Sequence, residues 1–235
     1  MEIFGGIAPS IRPLLLCEDI GGRGTVKLTI ELKTLSLFNT GGVTPTFMYY
    51  DIPFHRTRDP GSRIYKPTIS GSSLKGALRS ALIRIADAFG LSVCSERPNS
   101  RDNCDICYLF GAPGGGGSVY VSDLVCDSKT LLLTHVSLDD RSLTARRHAL
   151  YSVEYVPPGT IFRGEIDYEG EARRLGPLLL ALAALRTDRV GRSGILDLRV
   201  VNAGEVRRSV LKDLGRYEPL LEGLGVWAWD EILQM

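Results

Sequence analysis

Residues 67–80, Pro-Thr-Ile-Ser-Gly-Ser-Ser-Leu-Lys-Gly-Ala-Leu-Arg-Ser, join a turn of glycine and hydroxyl side chains directly to a helical pattern carrying Lys75 and Arg79. The first turn of a helix leaves backbone N–H groups without partners and presents the positive end of the peptide dipoles. Ser72 or Ser73 is expected to cap this helix, with Ser70 as a further hydroxyl beside them. Gly71 and Gly76 are expected to admit a ligand's backbone, and Lys75 and Arg79, four apart, to share one face. A phosphate suits that geometry. An ordinary capped helix with solvated charges would read the same way in this segment alone.

The second group with chemistry is Cys104-Asp-Ile-Cys107, with Cys94 ten residues earlier across a loop rich in Ser, Asn and Asp. Two thiolates at this spacing can grip one tetrahedral zinc, and Cys94 offers a third ligand. His55, His148, Cys126 or Cys17 would supply the fourth, and His55 is preferred because it lies in a basic region. Three unmetallated thiols remain the alternative. No general base or open coordination position accompanies the set, so such a metal would staple a loop rather than do chemistry.

These groups must be positioned by alternating elements. Residues 25–38 read as a half-buried strand, with Val26, Leu28, Ile30 and Leu32 on one face. A helix is expected over 73–89, where Leu74, Leu78, Leu82, Ile85 and Phe89 form one apolar stripe. Strands follow over 118–125 and 130–138, a polar interruption over 139–151, a strand over 160–168, a helix over 171–185 and a strand over 195–202. The order strand, helix, strand, strand, helix, strand predicts an α+β fold with a ferredoxin-like sheet covered on one face. No internal repeat or sharp boundary divides residues 1–235, so a single domain is expected. Its long loops decorate the sheet and carry function.

With 235 residues, 44% of them hydrophobic, the chain can bury a sizeable core. The net charge of +1 hides a segregation. From Asp51 to Arg84, seven basic residues face two acids, whereas from Asp213 onward five acids face only Arg216. A holder of polyanions is expected to concentrate charge in this way. Only six of the 28 basic residues are lysines, and arginine is the residue suited to bidentate phosphate contacts. Asn and Gln number five together, a scarcity of thermolabile amides that points to a thermophile. The first residues lack the basic and apolar regions of a signal peptide, and no run approaches a membrane span. The expectation is a soluble, cytoplasmic protein with no membrane partner.

Four stretches, in order, carry a resemblance: Asn39-Thr-Gly-Gly42 followed by Asp51-Ile-Pro-Phe-His-Arg56; Ile69-Ser-Gly-Ser-Ser-Leu-Lys-Gly-Ala-Leu-Arg79; Leu109-Phe-Gly111 running into 117–123; and Asp140-Arg-Ser-Leu-Thr-Ala-Arg146 with 151–160. Together they span most of residues 25–200. The chain resembles the RAMP (repeat-associated mysterious protein) superfamily of CRISPR systems, specifically the repeated backbone subunit of type III (Csm/Cmr) effector complexes. The resemblance implies an RRM-like core over about 25–38, 73–89, 118–125 and 160–202. It also implies two insertions, a thumb hairpin over about 127–158 and the cysteine loop, and leaves an acidic C-terminal segment, 204–235, unexplained.

It further implies that copies of the subunit stack along a guide RNA, together with large and small effector-complex subunits, and leave the bases free to pair with target RNA. Ser70, Gly71, Ser72, Ser73, Lys75, Gly76 and Arg79 match the block that lies against guide phosphates. Asp51 matches the carboxylate on which metal-dependent cleavage of target RNA at regular intervals depends, with Mg or Mn as cofactor. An attacking 2'-hydroxyl needs a base, in-line geometry and charge neutralisation; Asp51 could be the base or hold the cation. His55, Arg56 and Arg58 are close enough in sequence to donate a proton or neutralise charge. Asp51 could equally end a strand before Pro53. Arg146, on the thumb, would reach the duplex. The late glycine loop departs from the family's pattern, because Gly191-Arg-Ser-Gly194 lacks a final glycine; Arg192 could still reach phosphates. A non-catalytic scaffold subunit and a standalone endoribonuclease that processes precursor guide RNA are the alternatives.

Overall fold

The computed structural model describes residues 24–42, 51–58, 64–94, 104–142, 144–192 and 194–229. Strand β1 (Gly24–Thr34) lies at its centre. Val26, Leu28, Ile30 and Leu32 point into the core as the alternation requires, and β1 pairs antiparallel with β8 (Ile161–Gly170) on one side and β10 (Gly194–Val200) on the other.

Helix α1 (Gly71–Ile85) buries Leu74, Leu78, Ala81 and Leu82. Helix α3 (Gly176–Leu185) is buried nearly all round, because it packs against α1, β10 and the later helix α5 (Glu218–Leu224). The result is a mixed α/β fold with one eight-stranded sheet in the order β2-β3-β5-β8-β1-β10-β9, in which β4 also pairs with β8. The added strands are β2 (Arg56–Arg58), β3 (Tyr65–Ile69), β4 (Val119–Val121), β5 (Leu124–Val125) and β9 (Arg189–Val190). Among the described residues no helix is long and apolar enough to cross a membrane.

Several boundaries differ from the sequence-based expectation. The helix expected over 73–89 begins at Gly71, and a separate 3-10 turn follows its end, at Asp87–Phe89. The strand expected over 118–125 is two strands. Ser122 breaks the run by bonding Glu165 through its amide at 2.9 Å and its hydroxyl at 2.8 Å, after which the chain resumes as β5, between β8 and β3 and paired with both. The segment before Ser70, to which the sequence pattern assigns no element, supplies β2 at the sheet edge and β3 between β2 and β5. The polar stretch 139–151 does not interrupt the strands. Instead β6 (Leu131–Leu138) and β7 (Ala145–Tyr155) form a hairpin that is a two-stranded sheet of its own.

After β10 the chain forms α4 (Ala203–Leu214) and then α5. Asp197, buried at 1% exposure, accepts from the amides of Ala228 at 2.8 Å and Trp229 at 3.1 Å. Arg186 donates to the carbonyls of Leu198, Gly223 and Val226 at 2.7, 3.0 and 2.6 Å. The acid-rich end is thereby fastened to its own sheet.

The turn after β1 is held by Asn39, which is fully buried. Its Nδ2 donates to the carbonyls of Glu154 at 2.5 Å and Pro53 at 3.3 Å, and its Oδ1 accepts from the Gly41 amide at 2.6 Å. Below it Phe38, Phe54 and Phe162 pack with ring centroids about 6 Å apart. Replacing Asn39 by Ala strands those three backbone groups in the interior, at a cost of about 2–3 kcal/mol. Urea unfolding of Asn39→Ala should show that loss as a lower midpoint with an unchanged slope.

Candidate RNA-binding and cleavage site

A cleft of about 340 Å³ is lined by Thr40, Gly41, Gly42, His55, Ser70 and Ser73. One wall is the turn that Asn39 holds, and the other is the start of α1. The helix cap is Ser70 rather than Ser72 or Ser73. Its Oγ accepts from the Ser73 amide at 3.3 Å and lies 2.7 Å from the Ser73 hydroxyl and 3.2 Å from that of Ser72. Three hydroxyls thus gather at a helix N-terminus. Thr40 Oγ1, in the opposite wall, is buried and has no hydrogen-bond partner among the described residues. A ligand entering the cleft would meet three hydroxyls at the helix start that now bond one another.

Gly71 has a different reason to be glycine than ligand approach. A Cβ there would lie 2.1 Å from the Val121 carbonyl oxygen, and the Gly71 amide donates to Asp123 Oδ1 at 2.8 Å. Gly76, by contrast, faces open space. Lys75 and Arg79 do not line the cleft. Lys75 donates to the Val119 carbonyl at 2.7 Å, and burial with Arg79 nearby lowers its pKa. Arg79 donates to the Gly111 carbonyl at 2.6 Å, and its other terminal nitrogen lies 3.7 Å from Cys107 Sγ.

The late loop also reaches the cleft wall. The Arg192 amide donates to the Asn39 carbonyl at 3.0 Å. Gly191, at φ +61°, has no room for a side chain, since a Cβ would sit 2.5 Å from that same carbonyl oxygen. Arg192 is exposed there, Arg58 is exposed on β2, and Arg146 is exposed on β7, 3.9 Å from Asp139.

Asp51 is exposed and sits against β7 rather than in the cleft with His55. Its Oδ2 accepts from the Ser152 amide at 2.7 Å and the Ser152 hydroxyl at 3.1 Å. Those bonds, the amide first, hold its carboxyl below the usual range. A carboxylate so held is a poor proton acceptor and a fitting cation ligand.

Two residues along β7, buried Glu154 binds Arg56, the Thr130 hydroxyl at 2.5 Å and the Phe54 amide at 2.8 Å. Arg56, expected to face RNA, is thus spent on an internal ion pair. The sequence reading missed both Ser152 and Glu154. The alternation in Tyr151-Ser-Val-Glu-Tyr155 places both on one face of a strand and would have flagged them.

The Sγ atoms of Cys94, Cys104 and Cys107 all lie within 4.8 Å of one another. Cys94 lies 2.9 Å from Cys104 and 3.4 Å from Cys107. Hydrogen bonds with Cys104 and Cys107 push the Cys94 thiol up to about 12. Burial works against the Cys104 thiolate, yet bonds from Cys94 and Cys107 hold that thiol below its ordinary value. Tetrahedral zinc with ~2.3 Å bonds needs sulfurs ~3.8 Å apart, which this group meets with a small expansion. Among the described residues no fourth His, Cys, Asp or Glu joins the cluster. His55, preferred from sequence, lines the cleft instead, and Cys126 is buried beside the Pro67 carbonyl that its amide binds. His148 lies in the hairpin, and Cys17 falls outside the described residues.

A model of the RAMP superfamily matches residues 31–195. The chain belongs to the RAMP superfamily. No curated protein matches it. RAMP membership implies a CRISPR-associated, RNA-binding subunit that works in effector complexes with RNA. The matched span of this RAMP protein contains the cleft, Asp51, the hairpin and the cysteine cluster.

The buried Glu154 also gives the RAMP chain a specific acid sensitivity. Burial opposes its charge, but Thr130, Phe54 and Arg56 outweigh it and lower the pKa from 4.5. A depressed folded-state value stabilises the protein above the unfolded value and withdraws that stability as pH falls through the folded one. Urea unfolding from about pH 7 to about pH 3 should therefore show wild type losing stability below pH 4.5 along a steeper curve than Glu154→Gln, which is less stable at neutral pH.

Proposed function

We propose that this chain is the repeated, guide-RNA-binding backbone subunit of a type III CRISPR interference complex and that it cleaves complementary target RNA at regular intervals, with Asp51 as the essential carboxylate. The observation that carries the proposal is the placement of Asp51. It is an exposed anion pinned to a projecting hairpin, on the same short segment, 51–58, as His55 in the cleft wall. The strand order β10, β1, β8 and β4 supports an RRM-like core, with the β6–β7 hairpin as its thumb.

The cleft holds guide phosphate through Ser70, Ser72, Ser73, the α1 N-terminus and the Thr40 hydroxyl, with Arg192 at its rim. Arg58 and Arg146 neutralise backbone charge on either side of the paired strands. Lys75 and Arg79 act indirectly, by fixing α1 against β4 and against the end of helix α2 (Asp105–Phe110), which carries Cys107. In the reaction the target's own 2'-hydroxyl would give up its proton to solvent water and its oxygen would form a bond to phosphorus as the P–O5' bond breaks, leaving a cyclic phosphate and a 5'-hydroxyl. Asp51 would hold a divalent cation, Mg or Mn, that offsets the charge gathering on the phosphate. His55, on the same 51–58 segment, would protonate the leaving oxygen. The partners are guide RNA, target RNA, further copies of the chain, and the large and small subunits of the complex. Cys94, Cys104 and Cys107 would hold a structural zinc beside Arg79, whose positive charge offsets that of the thiolates.

Two measurements test this reading. In a reconstituted guide-loaded complex, Asp51→Ala should lower target cleavage by about 10²-fold or more while guide binding and assembly stay unchanged; equal cleavage by mutant and wild type would leave a scaffold subunit. Protein purified without chelators should carry about one zinc per chain by elemental analysis. Cys104→Ser should lose that zinc and lower the Tm.

A further inference from the structure

Four hydrogen bonds of one residue pair tie Asp51 to the middle of β7. The Ser152 amide and hydroxyl donate to Asp51 Oδ2 at 2.7 and 3.1 Å. In return the Asp51 amide lies 3.2 Å from the Ser152 carbonyl and 3.1 Å from its hydroxyl oxygen. The serine hydroxyl is thus engaged both as donor and as acceptor. Two donors on one oxygen fix the rotation of the carboxylate about its own side chain, so the second oxygen has a defined direction. The Ile52 amide adds a bond to the Ser152 carbonyl at 3.0 Å, and the Glu154 amide returns one to the Ile52 carbonyl at 2.9 Å. The short segment bearing Asp51 therefore meets the edge of β7 opposite β6 through a single parallel bridge, Ile52 to Val153.

Along with the 51–52 segment, the hairpin is anchored at its base. There Val156 pairs with Phe38, and Glu154 is buried with Arg56 and Thr130. Beyond that point β6 and β7 pair with each other, and Leu132, Val136, Leu138 and Leu150 are exposed. Ser152 is the last residue before the buried base that touches the carboxylate. What moves the hairpin moves Asp51.

We propose that Ser152 is a positioning residue for Asp51, locking the carboxylate to the hairpin so that the seating of the hairpin on an RNA duplex sets the geometry of cleavage. This inference rests on the reading of Asp51 as the cleavage carboxylate. In this role Ser152 acts by orienting Asp51, not by touching the reacting atoms. Threonine at this position keeps the hydroxyl and suits a strand, whereas alanine keeps the amide donor and loses the hydroxyl.

The test compares wild type, Ser152→Ala, Ser152→Thr and Asp51→Ala in the assembled guide-loaded complex. Single-turnover target cleavage is followed as a function of Mn concentration, with target affinity measured separately. The expected result is a cleavage rate for Ser152→Ala about 10-fold to 100-fold below wild type. Its Mn midpoint should be raised and its target affinity within about twofold of wild type, and Ser152→Thr should recover most of the rate. Wild-type rate and Mn midpoint in Ser152→Ala, beside an inactive Asp51→Ala, would overturn the positioning role while leaving Asp51 in place. Parallel loss of target affinity and cleavage in Ser152→Ala, without recovery in Ser152→Thr, would also overturn it, since the serine would then be a structural part of the hairpin. Full activity of Asp51→Ala would remove the functional reading and this inference with it.

Discussion

A buried carboxamide and a buried carboxylate hold this molecule's working parts together. Asn39 and Glu154 meet where the turn after the central strand, the 51–58 segment and the hairpin base converge, and the late glycine loop joins them through the Asn39 carbonyl. None of these segments is near the others in sequence. Each contributes backbone groups that would be costly to bury without partners, and a lone buried carboxylate would cost several kcal/mol. Arg56, Thr130 and the Phe54 amide satisfy Glu154, while Asn39 satisfies the backbone around it. In a low-dielectric interior such bonds reinforce one another, and none of the segments can shift without breaking bonds made by the rest.

That constraint explains why the cleft and the carboxylate can be treated as one working surface. Gly41 and Gly42 form the cleft wall because Asn39 bonds the Gly41 amide, and Asp51 lies along β7 because Ile52 and Glu154 pair beside it. The cleft and Asp51 thus share a foundation. Arg56 is part of it. Placed by sequence among the RNA-facing cations, it is drawn inward to neutralise Glu154, and the surface cations near it are Arg58 and Arg192.

Much of the scaffold was legible in the sequence. The alternation of β1 and the stripe of α1 are periodic signals that burial imposes; the first is found through Leu32 and the second through Leu82, while Phe89 lies beyond the helix and is exposed. The short strands β2 and β3 gave no such signal, because three and five residues are too few for an alternation to show. Helix α4 did give one: Val206, Val210 and Leu214 recur at four-residue spacing and are buried, but the change of charge at the end of the chain drew the reading away from them. At the site, residue types were legible and partners were not. Spacing places Lys75 and Arg79 on a helix face without saying that the acceptors are carbonyls of Val119 and Gly111. It places three serines near a helix start without saying that the first is the cap. Those outcomes depend on which strand lies beside the helix, a long-range fact.

The hairpin has a consequence for how the protein must be made. Among the described residues β6 pairs with β7 alone, so one backbone edge of β6 is open, and its Leu131, Leu132 and Leu133, consecutive and therefore on both faces, are all exposed. An open edge flanked by leucine is a template for any other extended chain it meets, including another copy of itself. A copy released before that edge is covered is exposed to off-pathway association, and a copy that assembles promptly is not. Timely assembly therefore protects the chain, and the rate at which partners arrive bears on its survival as much as the stability of its core.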